Sequence, residues 1–304
     1  MRIAVAIPNH NQHQMVRQAI SMLYSGTVKP AAVYVISDAK PFWNLPGDTG
    51  YVIPLNNFKK FLGRCGNRNS VIEHFIYSGY DALVFLDGDC YPDSPDFLEK
   101  YSSLLYNHDL VFGTRRHDDV STLSAPPSDL LTANMDNLWS GNPVDYRDLR
   151  VVSGAVQAWN SAKSFSEKLD LMLTGMIGWS CNFGFSRRGL ETLRRFQRKA
   201  YGLTEGIFDA AAFGDGWGYE DVAMGLDALY AGLDIAISDT VKVGHRSHDR
   251  SDGLFDHVRG RHAIMERSRI LSRYASVKGT VARATAVALT FFGAGFAACA
   301  MMML

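Results

Sequence analysis

The chain has 304 residues, 47% of them hydrophobic, and its 31 Lys and Arg residues balance its 31 Asp and Glu residues. This composition excludes a disordered chain. A net charge of zero also excludes a global basic field that would hold nucleic acid without a local patch, so binding specificity must come from a site.

The four cysteines, Cys65, Cys90, Cys181 and Cys299, lie far apart and form no C-x-x-C pair. This spacing favours reduced thiols over a disulfide framework. The N-terminal sequence MRIAVAIPNHNQ lacks a long apolar stretch, so we expect no signal peptide. Both observations favour a cytoplasmic protein.

Short β-branched runs predict strands at RIAVAIP, AAVYVISD, YVIPL and YDALVFLD. Helical periodicity predicts helices at QHQMVRQAISMLYSG and GNRNSVIEHFIYSGY. This alternation predicts an α/β fold with a mainly parallel sheet and helices on its faces. Ligands bind such sheets beyond the carboxyl ends of the strands, where Pro8, Asp38 and Asp87 are expected.

The stretch from Arg115 to Trp159 is rich in Ser, Pro, Asp and Asn and has no sustained period, so we expect a long loop region with short helices. The following segment, SEKLDLMLTGMIGWSCNFGFSRRGLETLRRFQRKAYG, predicts a short helix, a turn, a strand and a basic helix. The next segment predicts a glycine-rich loop, a helix and a last strand; its sequence is FGDGWGYEDVAMGLDALYAGLDIAISD.

Two carboxylates, Asp87 and Asp89, follow the strand YDALVFLD in the sequence FLDGDCYPD. Carboxylates one residue apart at a strand end can direct hard oxygen ligands toward one divalent cation and its bound phosphates. The alternative for an isolated D-x-D is a polar strand cap followed by a turn, in which Asp93 is a turn residue.

The segment GDGWGYED combines features of a ligand site. Its glycines let backbone approach a ligand closely, and Trp217 offers a flat apolar face for a sugar ring. Glu220 and Asp221 would stand at a helix N-terminus, where either could act as general base for a hydroxyl. The alternative is an ordinary acidic first turn that the helix dipole favours.

Several motifs, in order, resemble the family 2 nucleotide-sugar glycosyltransferases of the GT-A fold. IAVAIPNHNQ, with Pro8 and Asn11, is similar to the first strand and its Pro-x-x-Asn turn, and VYVISDAK to the second strand, whose Asp contacts the base. GRCGNRN, with Arg64 and Arg68, resembles the segment beside the nucleotide. ALVFLDGDCYPD resembles the metal-binding D-x-D strand.

Two motifs in the second half extend the resemblance. GWSCNFGFSRRGL is similar to an acceptor-side segment, and GDGWGYEDVAMGLDALYAGL to the Gly-Trp-Gly-x-Glu-Asp motif of galactosyltransferase-like and chondroitin-synthase-like members. The resemblance implies a Rossmann-like GT-A fold in which Asp221 is the general base and Glu220 binds the acceptor. It gives Asp38 and Asp87 to the nucleotide and Asp89 to a metal, with Trp217 also at the donor site.

The resemblance also implies a metal-binding histidine after the last strand, in VKVGHRSHDRSDG. His245 is the candidate and His248 the reserve, beside Asp87 and Asp89. Because imidazole is a softer ligand than oxygen, Mn²⁺ is favoured over Mg²⁺. The implied reaction moves a sugar from a nucleotide-diphosphate donor, a UDP-sugar by resemblance, to a hydroxyl of a glycan, a lipid-linked or another acceptor, with inversion.

Two other functions remain open at this stage. One is a phage- or virus-type glycosyltransferase acting on modified DNA bases, with the basic helix and RGRHAIMERSRILSRYASVKG as a DNA-facing surface. The other is a nucleotide-sugar or glycan binding module without catalysis. The joint presence of carboxylates and a histidine argues against the second, because a pure binder needs no base.

The C-terminal end separates from the domain in composition. We expect a glycosyltransferase domain over residues 1–271, and a basic linker with an apolar helix over 272–304. Ala284 to Leu304 carry no charge, and as a helix would extend about 31 Å, near the apolar thickness of a bilayer. This helix would either anchor the domain on the cytosolic side of a membrane or pack on the domain.

Overall fold

The computed structural model describes residues 1–10, 12–37, 40–42, 51–56, 63–117, 149–173, 181–213, 219–246, 263–264 and 266–273. Its eight strands form one sheet in the order β3-β2-β1-β4-β7-β6-β8-β5. The strands are β1 (Ile3–Asn9), β2 (Ala32–Ser37), β3 (Val52–Asn56), β4 (Ala82–Leu86), β5 (Cys90–Pro92), β6 (Leu110–His117), β7 (Asn182–Ser186) and β8 (Ile235–His245).

The sheet is parallel from β3 through β4, and β6 is parallel to β8. β7 runs antiparallel between β4 and β6, and the short β5 runs antiparallel to the end of β8. The predicted mainly parallel α/β sheet is thus confirmed. The antiparallel position of β7 was not predicted, because a strand's sequence pattern does not specify its direction.

Eight helices are bounded within the described residues. They are α1 (His13–Ser25), α2 (Gly63–Ile76), α3 (Phe97–Asn107), α4 (Leu149–Ser161), α5 (Phe165–Leu173), α6 (Arg187–Tyr201), α7 (Ala210–Phe213) and α8 (Glu220–Tyr230). Residues 266–273 are also helical. In the region from Arg115 to Trp159, where a long loop with short helices is expected, β6 extends to His117 and α4 begins at Leu149, while residues 118–148 lie outside the described residues.

The helices cover both faces of the sheet, as predicted. Alternate strand residues point to opposite faces, so Ala4 and Ala6 of β1 join one apolar cluster while Ile3, Val5 and Ile7 join the other. The first cluster also contains buried residues of α2, α4, α5, α6 and α8, and the second those of α1 and α3. Two apolar layers therefore fix the strand ends that carry the polar residues.

Asn182, at the start of β7, links β7 to three other elements, α3, β6 and β8. Its amide donates to the backbone oxygens of Thr114 and Val241, at 3.1 and 2.9 Å, and its oxygen accepts from the hydroxyl of Tyr101 at 2.7 Å. The asparagine and the tyrosine are fully buried. The asparagine of the supposed acceptor-side segment therefore holds the sheet together.

No helix within the described part of the chain is long and apolar enough to cross a membrane. The apolar segment from Ala284 to Leu304 lies outside the described residues. The membrane anchor and the boundary at residue 271 therefore stay predictions.

The substitution Tyr101→Phe should destabilise the protein by about 1–3 kcal/mol, because it leaves the buried oxygen of Asn182 without its donor. Burial raises the pKa of Tyr101, so the native hydroxyl keeps its proton across the usual pH range. Urea denaturation measures the change. The control Tyr106→Phe alters the same helix at an 82% exposed position and should be neutral; equal effects would contradict the role of Asn182.

Candidate active site

The carboxyl ends of β1, β2 and β4 form one polar edge of the sheet. Pro8 of β1 pairs with Ile36 of β2, and the amide of Asn9 donates to the hydroxyl of Ser37 at 2.8 Å. A Cβ on Gly88 would lie 2.7 Å from the backbone oxygen of Pro8. The residue between the two aspartates must therefore be glycine for the D-G-D turn to lie against β1.

Backbone hydrogen bonds fix the D-G-D turn. The amide of Asp87 donates to the oxygen of Cys181 at 3.1 Å, and the amide of Cys90 donates to the oxygen of Asp87 at 2.9 Å. The amide of Arg246 donates to the oxygen of Asp89 at 3.0 Å. The turn is thus held by segments from the second half of the chain, and it presents the two carboxylates to different neighbours.

Arg68 of α2 bridges two carboxylates from distant parts of the chain. Its Nη2 lies 3.0 Å from Oδ1 of Asp87 and its Nη1 lies 3.0 Å from Oε1 of Glu220. Burial opposes its positive charge, yet the carboxylates of Asp87, Glu220 and Asp221 raise the pKa of Arg68 above its ordinary value. The guanidinium stays charged and holds the end of β4 beside the start of α8.

Asp89 faces the end of β8. In the antiparallel pair of β5 and β8, Cys90 lies opposite His245, and the Nε2 of His245 is 3.4 Å from Oδ2 of Asp89. Ligand atoms of Asp89, Cys90 and His245 all lie within 4.8 Å of one another. Burial, a hydrogen bond with Cys181 and the charge of Asp89 raise the pKa of the Cys90 thiol. This group offers a carboxylate and an imidazole to one cation.

Helix α8 begins with the two acidic residues of the GWGYED segment. Glu220 is only 3% exposed, and its Oε2 has no hydrogen-bond partner among the described residues. Asp221 is half-buried, and its Oδ1 accepts from the amide of Val222 at 2.8 Å. Tyr219, just before them, has φ 70°, the single positive φ of a non-glycine residue in the described part of the chain.

Asn69, in the GRCGNRN segment, fixes the chain that leads to α8. Its oxygen accepts from the amides of Ile207 and Phe208, both at 3.0 Å, and its amide donates to the oxygen of Phe208 at 2.7 Å. The ring of Phe208 lies under the guanidinium of Arg68, 5.4 Å from its centroid. The sequence associated this segment with the nucleotide alone, so this supporting role was missed, and no local pattern reveals it.

The structure brings five of the predicted site residues into two contacting groups, Arg68 with Asp87 and Glu220, and Asp89 with His245. Arg64 is half-buried in the first turn of α2, and Pro8 lies against Gly88. Asp93, expected in a turn, pairs with Arg116 at 3.0 Å. Four predicted site residues lie outside the described part of the chain: Asn11, Asp38, Trp217 and His248.

A second buried ion pair involves Arg267, which lies in the segment that the alternative DNA function would place on a DNA-facing surface. Its Nη2 lies 2.5 Å from Oδ2 of Asp227 in α8, and its Nη1 lies 2.9 Å from Asp209. Arg267 is 5% exposed and Asp227 is fully buried. The assignment of Arg267 to the surface is wrong, because the arginine neutralises a buried carboxylate.

Solved structures with a similar fold include a mannosyltransferase. The mannosyltransferase PcManGT from Pyrobaculum calidifontis, in complex with GDP-Man and Mn²⁺, matches with a TM-score of 0.51 and 14% identity, over 99% of this chain and 75% of that chain. TarS from S. aureus matches with a TM-score of 0.50 and 10% identity, over 93% of this chain and 44% of that chain. No family model and no curated protein matches the sequence. At these identities the likeness shows the GT-A fold.

The positive φ of Tyr219 predicts a difference in stability between two variants at this position. Tyr219→Gly should be more stable than Tyr219→Ala by about 1–2 kcal/mol, because both remove the ring but glycine alone adopts a positive φ at little cost. Urea denaturation of the two variants measures the difference. Equal stabilities would show that residue 219 leaves the left-handed region.

Proposed function

We propose that this protein is a metal-dependent glycosyltransferase that moves a sugar from a nucleotide-diphosphate donor to a hydroxyl acceptor. The observation that carries the proposal is the meeting of Asp87, Asp89, Glu220 and His245 at one edge of a GT-A sheet. A similar fold belongs to a mannosyltransferase solved in complex with GDP-Man and Mn²⁺. By the motif resemblance we place the chain near family 2, with a domain over residues 1–271.

The donor would bind beyond the carboxyl ends of β1, β2 and β4. Pro8, Asn11 and Asp38 would hold the base side, with Asp87 on the ribose side and Arg64 nearby. Asp87 is suited to this role because its side chain is 31% exposed while Arg68 fixes one of its oxygens. UDP is the proposed nucleotide, and Trp217 would contact the sugar.

Asp89 and His245 would hold the cation, with Asp87 and His248 as further ligands. The donor set fits Mn²⁺ better than Mg²⁺, because imidazole nitrogen is a softer ligand than oxygen. When bound, the cation supplies Lewis acidity that stabilises negative charge on the diphosphate.

Asp221 would act as the general base. Its carboxylate takes the proton of the acceptor hydroxyl, the hydroxyl oxygen attacks the anomeric carbon, and the bond from that carbon to the diphosphate breaks. A single displacement of this kind inverts the configuration. Glu220 would accept a hydrogen bond from the acceptor through Oε2, since its Oε1 is occupied by Arg68.

The substitution Asp221→Asn should lower kcat at least about 100-fold, because the amide cannot take a proton from the acceptor. Nucleotide release in a screen of sugar donors and acceptors provides the assay. Asp234→Asn changes an exposed carboxylate beyond the far end of the same helix and should retain full activity. Full activity of Asp221→Asn would remove the residue as base, and donor binding without turnover in any acceptor would favour a binding module.

Activity should also depend on a divalent cation held at Asp89. A chelator should abolish transfer and Mn²⁺ should restore it, while Asp89→Asn should weaken Mn²⁺ binding in calorimetry at least tenfold. Asp93→Asn is the matched control, because its carboxylate is four residues away and pairs with Arg116. Unchanged Mn²⁺ affinity in Asp89→Asn would contradict this ligand assignment.

A further inference from the structure

The Arg68 bridge spans two sites that the proposed reaction uses separately. Asp87 follows β4 on the donor side, and Glu220 begins α8 on the acceptor side, 152 residues along the chain from Arg68. Each carboxylate accepts a hydrogen bond from a different nitrogen of the same guanidinium at 3.0 Å. The arginine and the glutamate are each 3% exposed, so their contact is shielded from water, whereas the side chain of Asp87 is 31% exposed.

The bridge is poorly explained as a device for stability alone. Ion pairs removed from water gain little over apolar packing, because desolvation offsets their attraction. A planar guanidinium with two arms, however, fixes two carboxylates at a set separation and angle. The ring of Phe208, 5.4 Å from the guanidinium carbon, limits the movement of that plane.

We propose that Arg68 is a positioning residue that couples the donor and acceptor sides of the site. This inference rests on the proposed function. The ion pair of Arg68 with Glu220, called the clamp here, sets the orientation of Asp87. Glu220 fixes Arg68, and Arg68 fixes Oδ1 of Asp87, which leaves the rest of that partly exposed carboxylate to the nucleotide. A change at Glu220 therefore alters nucleotide affinity through Arg68. Because coupling is reciprocal, a bound nucleotide also steadies Glu220 for the acceptor.

Other charged and titratable groups lie near this bridge. Besides Asp87 and Glu220, Asp221 of α8 acts on the charge of Arg68, and Cys65 of α2 interacts with Arg68, Glu220 and Asp209. Burial, together with the charge of Glu220, raises the pKa of the Cys65 thiol to about 12. The thiol is neutral near pH 7, so Arg68 is the group that carries positive charge between the two carboxylates.

The test measures UDP binding by calorimetry in the presence of Mn²⁺, with GDP as the alternative nucleotide. Glu220→Gln should weaken binding about fivefold to tenfold in the wild-type background, because the clamp on Arg68 loses its charge. In the Arg68→Met background the same substitution should change the Kd less than twofold. The double variant lacks both charges and so leaves no unpaired carboxylate at residue 220, and Arg68→Gln, which also lacks the positive charge, provides a second background if Arg68→Met does not fold.

Asp227→Asn is the matched control, because Asp227 lies in the same helix and pairs with a buried arginine, Arg267. It should lower the melting temperature without changing the Kd for the nucleotide. Equal effects of Glu220→Gln in the two backgrounds, or none in either, would overturn the coupling and leave the proposed function standing. If neither nucleotide binds the wild-type protein, both proposals fail.

Discussion

The contact between Arg68 and the carboxylates of Asp87 and Glu220 is the constraint on which the arrangement of the site depends. Leaving a buried carboxylate unpaired costs about 3–5 kcal/mol, so the three charged groups must meet for the chain to fold in this way. Asn69, next to Arg68 on α2, holds the segment at Ile207 and Phe208 that leads toward α8. One helix thus positions the acidic start of another.

The antiparallel strands complete the same edge. β7 lies between β4 and β6, so the oxygen of Cys181 receives the amide of Asp87. The pairing of β5 with β8 places His245 beside Asp89. The two aspartates of D-G-D therefore face different partners: Asp89 lies beside His245, and Asp87 pairs with Arg68. A parallel sheet alone would not divide the two carboxylates in this way.

Helix α8 contains a second buried carboxylate, Asp227, whose hydrogen bonding differs from that of Glu220. Asp227 pairs with Arg267 and accepts from Gln197 and Tyr201, so its carboxylate is fully satisfied inside the protein. Glu220, in contrast, keeps one buried oxygen without a partner among the described residues. The first arrangement fixes the C-terminal helical residues onto the domain. The second leaves one buried oxygen at the start of α8 able to accept a hydrogen bond.

The strand pattern and the acidic pair Glu220 and Asp221 at a helix start follow from the sequence alone, because both depend on neighbours along the chain. His245 is expected only through the resemblance of the motifs to a known family. Only the tertiary structure decided that Arg68 joins Asp87 to Glu220, that Arg267 is buried, and that β7 is antiparallel. These features join residues far apart in the chain, and strand order and burial of charge are properties of the assembled sheet that no local pattern encodes.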